Sequence, residues 1–225
     1  TALDAKVAKA GVLAKPPLVS IIMPTRNRAA ILPKAIRSVI DQDYPAWELL
    51  VVDDGSEDDT AAIVAGFTDP RIRYVAGTGQ GAAAARNIGL AEARGEIFAY
   101  LDSDNQWTPR HLRTMVAFLL LNGLDLAYAA MRLESGEEVR FRGRGFKYRD
   151  LVEMNYIDLN AIVHRRALTE KHGGFDTGLR RMMDWDLVLR YAKDAKVDYA
   201  PFIGVIYDER KDGDRITVQE PISWR

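Results

Sequence analysis

Short apolar runs that stop abruptly in polar clusters constrain this chain more than any other feature. Residues 18–23 (LVSIIM), 48–52 (ELLVV) and 97–101 (IFAYL) each have the length of a strand. None shows the strict apolar–polar alternation of a strand with one wet face, so they read as strands buried on both sides. Helical spacing fills the intervals. Leu32, Ala35, Ile36, Val39 and Ile40 fall on one helical face, with Pro33 tolerated in the first turn. Further helices are predicted over residues 58–67 and 82–93, and a short strand over residues 72–75. Alternating strands and helices imply a parallel sheet covered by helices. The predicted fold class is therefore α/β, a Rossmann-like and mostly parallel sheet flanked by helices. In such sheets ligands gather at the carboxyl ends of the strands. The clusters Thr25-Arg26-Asn27, Asp53-Asp54-Gly55-Ser56 and Asp102-Ser103-Asp104 stand at those ends.

After Pro109 the pattern changes, and a smaller mixed region is expected. It holds a helix over 110–121, a strand over 126–133, and a charged hairpin or loop over 134–150. A strand over 160–164 follows, then a break at Gly173-Gly174 and a helix over 184–195. Two last strands cover 197–200 and 203–207. Residues 1–15 read as a short helix or lead-in, ended by Pro16-Pro17. The charged residues 208–214 read as a flexible segment.

Composition removes several classes of function. With 31 Lys+Arg against 32 Asp+Glu, the net charge is −1. No whole-protein basic field exists to hold a nucleic acid. Cysteine is absent, which removes disulfides, thiolate zinc sites and cysteine nucleophiles and suits a reducing compartment. The longest apolar stretch, residues 115–131, is broken by Asn122, Gly123 and Asp125 and is too polar to span a bilayer. The first residues lack a secretory h-region. A start at Thr1 reads as a domain excised from a longer chain.

Each polar cluster has two readings. Asp102 and Asp104 can offer oxygen ligands to one hard cation, Mg²⁺ or Mn²⁺, with phosphates completing the shell. Alternatively they form a polar strand exit, with Asp104 or Thr108 capping the next helix. Asp53-Asp54 can accept hydrogen bonds from a base or ribose, or form a turn in which Ser56 or Asp58 caps a helix. Residues 77–81 (GTGQG) are one residue short of the dinucleotide fingerprint and follow the third strand, so that label is rejected. Arg86 can pair with a phosphate or with a carboxylate. Asp184 begins a helix, either as a general base facing a cleft or as a first-turn acid favoured by the helix dipole. Asp186 has the same two readings and a worse position. His111, His164 and His172 lack metal-ligand spacing and read as structural or surface residues.

Taken in order, six segments carry a resemblance: VSIIMPTRNR at 19–28, LLVVDDGSEDDT at 49–60, ARNIGLAEARGE at 85–96, FAYLDSDNQWTP at 98–109, GGFD at 173–176 and MDWDLVLR at 183–190. Jointly they resemble glycosyltransferase family 2, enzymes of the GT-A fold. The resemblance implies an inverting, metal-dependent transferase that moves a sugar from a nucleotide-diphospho-sugar, often a UDP-sugar, to a hydroxyl. It implies that Pro24, Thr25, Arg26 and Asp54 line the nucleotide pocket, with Arg86 and Ser103 beside them. It implies that Asp104 ligates Mn²⁺ or Mg²⁺, and that Asp102 contacts the ribose or supports the metal shell. Asp184 corresponds to the catalytic base of a Glu-Asp pair, and Met183 stands where that pair has Glu. Residues 18–108 would form the donor half and 109–225 the acceptor half, with 134–160 and 204–225 as acceptor side and closing loop. The Gln-x-x-Arg-Trp motif of processive relatives is not matched, since Gln219 and Trp224-Arg225 have the wrong order and spacing. The expected acceptor is a saccharide or a lipid-linked sugar in surface polysaccharide synthesis. The expected location is the cytoplasm, at the inner face of the membrane through peripheral contact. Two rivals are a sugar nucleotidyltransferase and a non-catalytic sugar-nucleotide module.

Overall fold

The computed structural model describes residues 14–209. The expectations for residues 1–13, and those for 208–214 and 204–225 beyond residue 209, lie outside this span. The first half follows the predicted alternation: β1 (Val19–Thr25), α1 (Leu32–Ile40), β2 (Trp47–Asp53), α2 (Thr60–Ala65), β3 (Ile72–Ala76), α3 (Ala82–Glu92) and β4 (Ile97–Tyr100). The second half contains β5 (Gln106–Trp107), α4 (His111–Leu121), β6 (Leu126–Ser135), β7 (Glu138–Arg142), α5 (Tyr148–Glu153), a 3₁₀ turn (Leu159–Ala161), β8 (Ile162–Arg165), α6 (Arg166–His172), α7 (Met183–Ala192) and β9 (Val197–Asp208).

The strands form one sheet in the order β3-β2-β1-β4-β8-β6-β9-β5, and β7 pairs with β6 as a hairpin. β3, β2, β1 and β4 run parallel, in registers such as Met23 opposite Val51 and Ile22 opposite Tyr100. β8 then runs antiparallel to both β4 and β6. The sheet is therefore mostly parallel at the donor end and mixed beyond it, as predicted.

Both faces of β1, β2 and β4 are dry, which explains the unbroken apolar runs. Ile21, Met23, Leu49 and Val51 face one core with α1 and α4. Ile22, Leu50 and Val52 face a second core with α3 and α7. Successive side chains point to opposite faces, so every position of β1 and β2 must be buried. Gly89 lets α3 lie directly on the sheet, because a Cβ there would sit 2.7 Å from Cγ2 of Ile22.

Four local expectations need correction. The predicted pair of last strands is one strand, β9, whose register against β6 shifts between Ala129 and Met131, opposite Pro201 and Phe202. The predicted strand at 160–164 begins as a 3₁₀ turn. α5 begins within the predicted hairpin or loop over 134–150, and α6 fills the unassigned stretch before the break at Gly173-Gly174. Neither Asp104 nor Thr108 caps α4, whose N-cap is Arg110 with no side-chain bond. Ser56 likewise does not cap α2, whereas Asp58 Oδ1 accepts the Thr60 N–H at its first residue (3.0 Å).

His111 and His164 are fully buried structural residues. His111 stacks on Trp107 and His164 bonds Tyr100. Burial pushes their imidazoles down to about 3 and about 4 respectively, which keeps both rings neutral.

Gly89→Ala sets two effects against each other. Alanine gains about 1 kcal/mol of helix propensity over glycine. Overpacking against Ile22 costs about 1–3 kcal/mol. The variant is expected to be net destabilised, read as a lower denaturation midpoint in urea. An unchanged or raised midpoint contradicts the close approach of α3 to the sheet.

Candidate active site

The loops after β1 and β2 are laced together by their polar side chains. The Asn27 N–H donates to Ser56 Oγ (2.8 Å), and Asn27 Oδ1 accepts from the Glu57 N–H (2.8 Å). The Ala29 N–H donates to Asp58 Oδ2 (3.0 Å). Ser56 therefore acts across the strand exits, and Asp58 does so with one oxygen while the other accepts the Thr60 N–H at the start of α2. Asn27 adopts a positive φ of 51°, which asparagine tolerates better than most residues.

Asp54 is buried, and its two carboxylate oxygens accept the N–H groups of Gln80 (3.1 Å) and Gly81 (2.7 Å). It thereby holds the glycine-rich segment at the start of α3. Gly77 permits this, since a Cβ there would meet the Asp53 carbonyl oxygen at 2.8 Å. Asp53 accepts from the Ser56 N–H and from Tyr74 Oη (2.9 and 2.8 Å). Pro24 and Thr25 end β1 inside the sheet, and Arg26 is exposed just beyond them. Thr25 Oγ1 is buried without a hydrogen-bond partner among the described residues.

Three of the other predicted residues converge on a cavity of about 290 Å³, whose lining does not include Ser103 or Asp104. Arg86 from α3, Asp102 from the end of β4 and Asp184 from the first turn of α7 all line it. Asp158, Asn160, Arg180, Met183 and Tyr207 complete much of the wall. Arg86 Nη2 donates to Asp102 Oδ1 (2.6 Å), and Nη1 to the Met183 thioether (3.5 Å). Of the two partners open to Arg86 in the sequence, the structure shows the carboxylate. Asp184 Oδ2 accepts from Asn155 Nδ2 (3.3 Å). Asp186 instead pairs with Arg190 one helical turn on (2.8 Å). Met182, the residue before α7, has a positive φ of 57°, a strained backbone of about 1–3 kcal/mol at the entrance to the Asp184 turn.

Asp104 and Ser103 stand in the turn after β4, which is closed by the Asn105 N–H donating to the Asp102 carbonyl (3.0 Å). Ser103 is buried and Asp104 partly so. Among the described residues no three Asp, Glu or His side chains form a ready-made metal cluster. Both Asp102 oxygens are already engaged, one by Arg86 and the other by Asn160 Nδ2 (3.1 Å). The chain thus offers hard oxygen donors but too few for a complete shell. That suits a cation such as Mg²⁺, which retains waters and shares phosphate oxygens.

Asp158 and Asn160 were not singled out from the sequence. Asp158 Oδ1 accepts from the Asn160 N–H (2.9 Å) and Nδ2 (2.8 Å). The cavity leaves its edge open, yet surrounding protein strips water from the carboxyl. That desolvation, with Asp102 and Asp184 adding negative charge nearby, pushes its pKa up to about 6. The only sequence signal was the spacing Asp-x-Asn ahead of a strand.

The family model described as Glycosyl transferase family 2 matches residues 20–186, most of the chain. The chain belongs to glycosyltransferase family 2. WfgD of Escherichia coli, named a UDP-Glc:alpha-D-GlcNAc-diphosphoundecaprenol beta-1,3-glucosyltransferase, is 42% identical over 112 residues, 49% of this chain and 44% of that protein. The succinoglycan biosynthesis protein ExoO of Rhizobium meliloti is 33% identical over 165 residues, covering 72% of this chain and 46% of its own length. This family 2 chain thus spans less than half the length of either relative. Among solved structures, S. aureus TarS 1–349 in complex with UDP-GlcNAc superposes with a TM-score of 0.77 at 21% identity, over 87% of this chain and 59% of that one. The mannosyltransferase PcManGT of Pyrobaculum calidifontis, in complex with GDP-Man and Mn²⁺, gives 0.68 at 23% identity, over 91% and 64%. These likenesses establish the GT-A fold for this glycosyltransferase domain, and family membership sets aside the nucleotidyltransferase reading.

The raised Asp158 pKa has a stability consequence. An acid with a higher pKa in the folded than in the unfolded chain stabilises the fold when protonated and loses that contribution as pH rises through about 6. Asp158→Asn keeps an acceptor for Asn160 and removes the charge. In EDTA, its stability advantage over the parent is expected to grow between about pH 4 and pH 7 and then level off. Urea denaturation across that range measures it, and a pH-independent difference contradicts the buried-acid account.

Proposed function

We propose that this domain is an inverting, metal-dependent transferase that moves a sugar from a UDP-sugar to a hydroxyl of a saccharide or lipid-linked acceptor. The observation that carries this reading is the meeting of Arg86, Asp102 and Asp184 in one cavity at the carboxyl edge of the parallel strands. These residues come from both halves of the chain, which supports residues 18–108 as the donor side and 109–225 as the acceptor side. WfgD's name records a UDP-sugar donor and a diphosphoundecaprenol-linked acceptor, and ExoO's records polysaccharide synthesis. We carry that pattern over as a role in surface polysaccharide or glycan synthesis. No helix of the described residues is long and apolar enough to cross a membrane. The reaction is read as cytoplasmic, with peripheral contact at the inner membrane face where a lipid-linked sugar would be presented.

Each residue's task follows from its position. Pro24, Thr25 and Arg26 at the end of β1 face the nucleotide, beside the loop that Asp54 holds. Asp54 acts by fixing the backbone around residues 80–81. Asp104 is the direct cation ligand, with Asp102 and Ser103 supporting the same turn. Bound there, Mn²⁺ or Mg²⁺ would supply charge neutralisation for the departing diphosphate. Arg86 keeps Asp102 compensated and contributes positive charge to the cavity wall. Asp184 takes the acceptor's proton as the new C–O bond forms. A carboxylate with a reference pKa of about 3.9 is too weak to ionise a sugar hydroxyl beforehand, so proton transfer must accompany attack. Attack from the side opposite the leaving group inverts the anomeric carbon and needs no covalent enzyme intermediate.

Asp184→Asn keeps the size and the contact with Asn155 but cannot accept a proton. Transfer is expected to fall about 10²–10⁴-fold. Calorimetric affinity for the UDP-sugar and Mn²⁺ should stay within about threefold, equivalent to less than 1 kcal/mol. A variant retaining full transferase rate overturns the assignment of the base.

A further inference from the structure

Asn160 is 2% exposed and grips Asp102 at two points. Its Oδ1 accepts the Asp102 main-chain N–H (2.6 Å), and its Nδ2 donates to Asp102 Oδ2 (3.1 Å). The partners fix the amide's orientation, because an N–H needs the oxygen and a carboxylate needs the nitrogen. Asn160 is itself anchored on three sides. Asp158 Oδ1 holds its Nδ2 and its main-chain N–H, and Trp107 Nε1 donates to its carbonyl (2.8 Å). Arg86 completes the hold on Asp102 from the opposite oxygen.

The clamp has a consequence for the neighbouring residues. With both oxygens satisfied by protein donors, Asp102 has little reason to turn towards a cation. Asp102 also opens the turn that carries Asp104, through its carbonyl bond from the Asn105 N–H. The far side of that turn is held to β9, where the Asp208 N–H donates to Asn105 Oδ1 (3.3 Å). A turn fixed at both ends presents its intervening carboxylate in one place. A single planar amide can brace main chain and carboxylate together, whereas a serine hydroxyl is too short to reach both.

We propose that Asn160 is a positioning residue: it clamps Asp102 out of direct metal coordination and fixes the turn that presents Asp104 to the cation. This rests on the reading of the cavity as a metal-assisted nucleotide-sugar site. It adds a residue about 60 positions away in sequence, on the acceptor half, that tunes donor binding through Asp102.

The test is calorimetric binding of UDP, once with saturating Mn²⁺ and once in EDTA, for the parent, Asn160→Ala and Asn160→Ser. Leu119→Ala, a core truncation in α4, serves as a destabilised control. The expected result is that both Asn160 variants bind UDP about tenfold more weakly with Mn²⁺, the scale of one hydrogen bond to a charged group. In EDTA they should match the parent within about twofold, and Leu119→Ala should match it in both conditions. Serine gives a second route if the alanine variant does not fold. Equal weakening with and without Mn²⁺ would assign Asn160 to ordinary packing and overturn the proposal, as would unchanged affinity. A parent that gains no UDP affinity from Mn²⁺ would instead overturn the donor-site reading, and this proposal with it.

Discussion

A sheet sealed on both faces leaves chemistry only one place to occur. β1 and β2 bury every side chain along their length, so polar groups emerge only where the strands end. In a parallel sheet those ends share one edge. Residues separated by 77 positions, such as Thr25 and Asp102, are brought to the same edge of the sheet by that constraint alone. The apolar runs therefore determine the site as well as the core.

Much of the polar edge serves its own architecture. Asp53, Asp54, Ser56 and Asp58 hold loops and amides in place, while Arg86 and Asn160 occupy the oxygens of Asp102. This matters because a site that stabilises developing charge gains from groups already oriented before the substrate arrives. The arrangement carries an electrostatic cost. Asp102, Asp158 and Asp184 line a small cavity together, and the raised Asp158 pKa reflects its burial first and the two neighbouring carboxylates second. Arg86 compensates one of the three.

Legibility in the sequence tracked how local each signal was. α1 carries Pro33 and a regular apolar stripe, and its predicted bounds match those observed. α6 buries little beyond Leu168, so its charged surface gave no periodicity to read. β5 is two residues long and exists only because β9 passes beside it. Pro201 argued for two strands at the end of the described chain. The sheet accommodates it by shifting register and continuing, as an irregular strand can. Among site residues, Asp102, Arg86 and Asp184 were visible because each belongs to a recognisable motif. Asp158 and Asn160 were not, because Asn160 acts on Asp102, 58 residues away, and Asp158 acts by holding Asn160. Asn160 sits beside the apolar Ile162-Val163 pair and was absorbed into the predicted strand.

The most direct measurement is anomalous diffraction at the manganese edge from crystals soaked in Mn²⁺ and UDP. The account predicts one strong peak within bonding distance of an Asp104 oxygen and of the diphosphate, with Asp102 still bonded to Arg86 and Asn160. A peak remote from the β4 exit, or nucleotide bound without any manganese near Asp104, would contradict it.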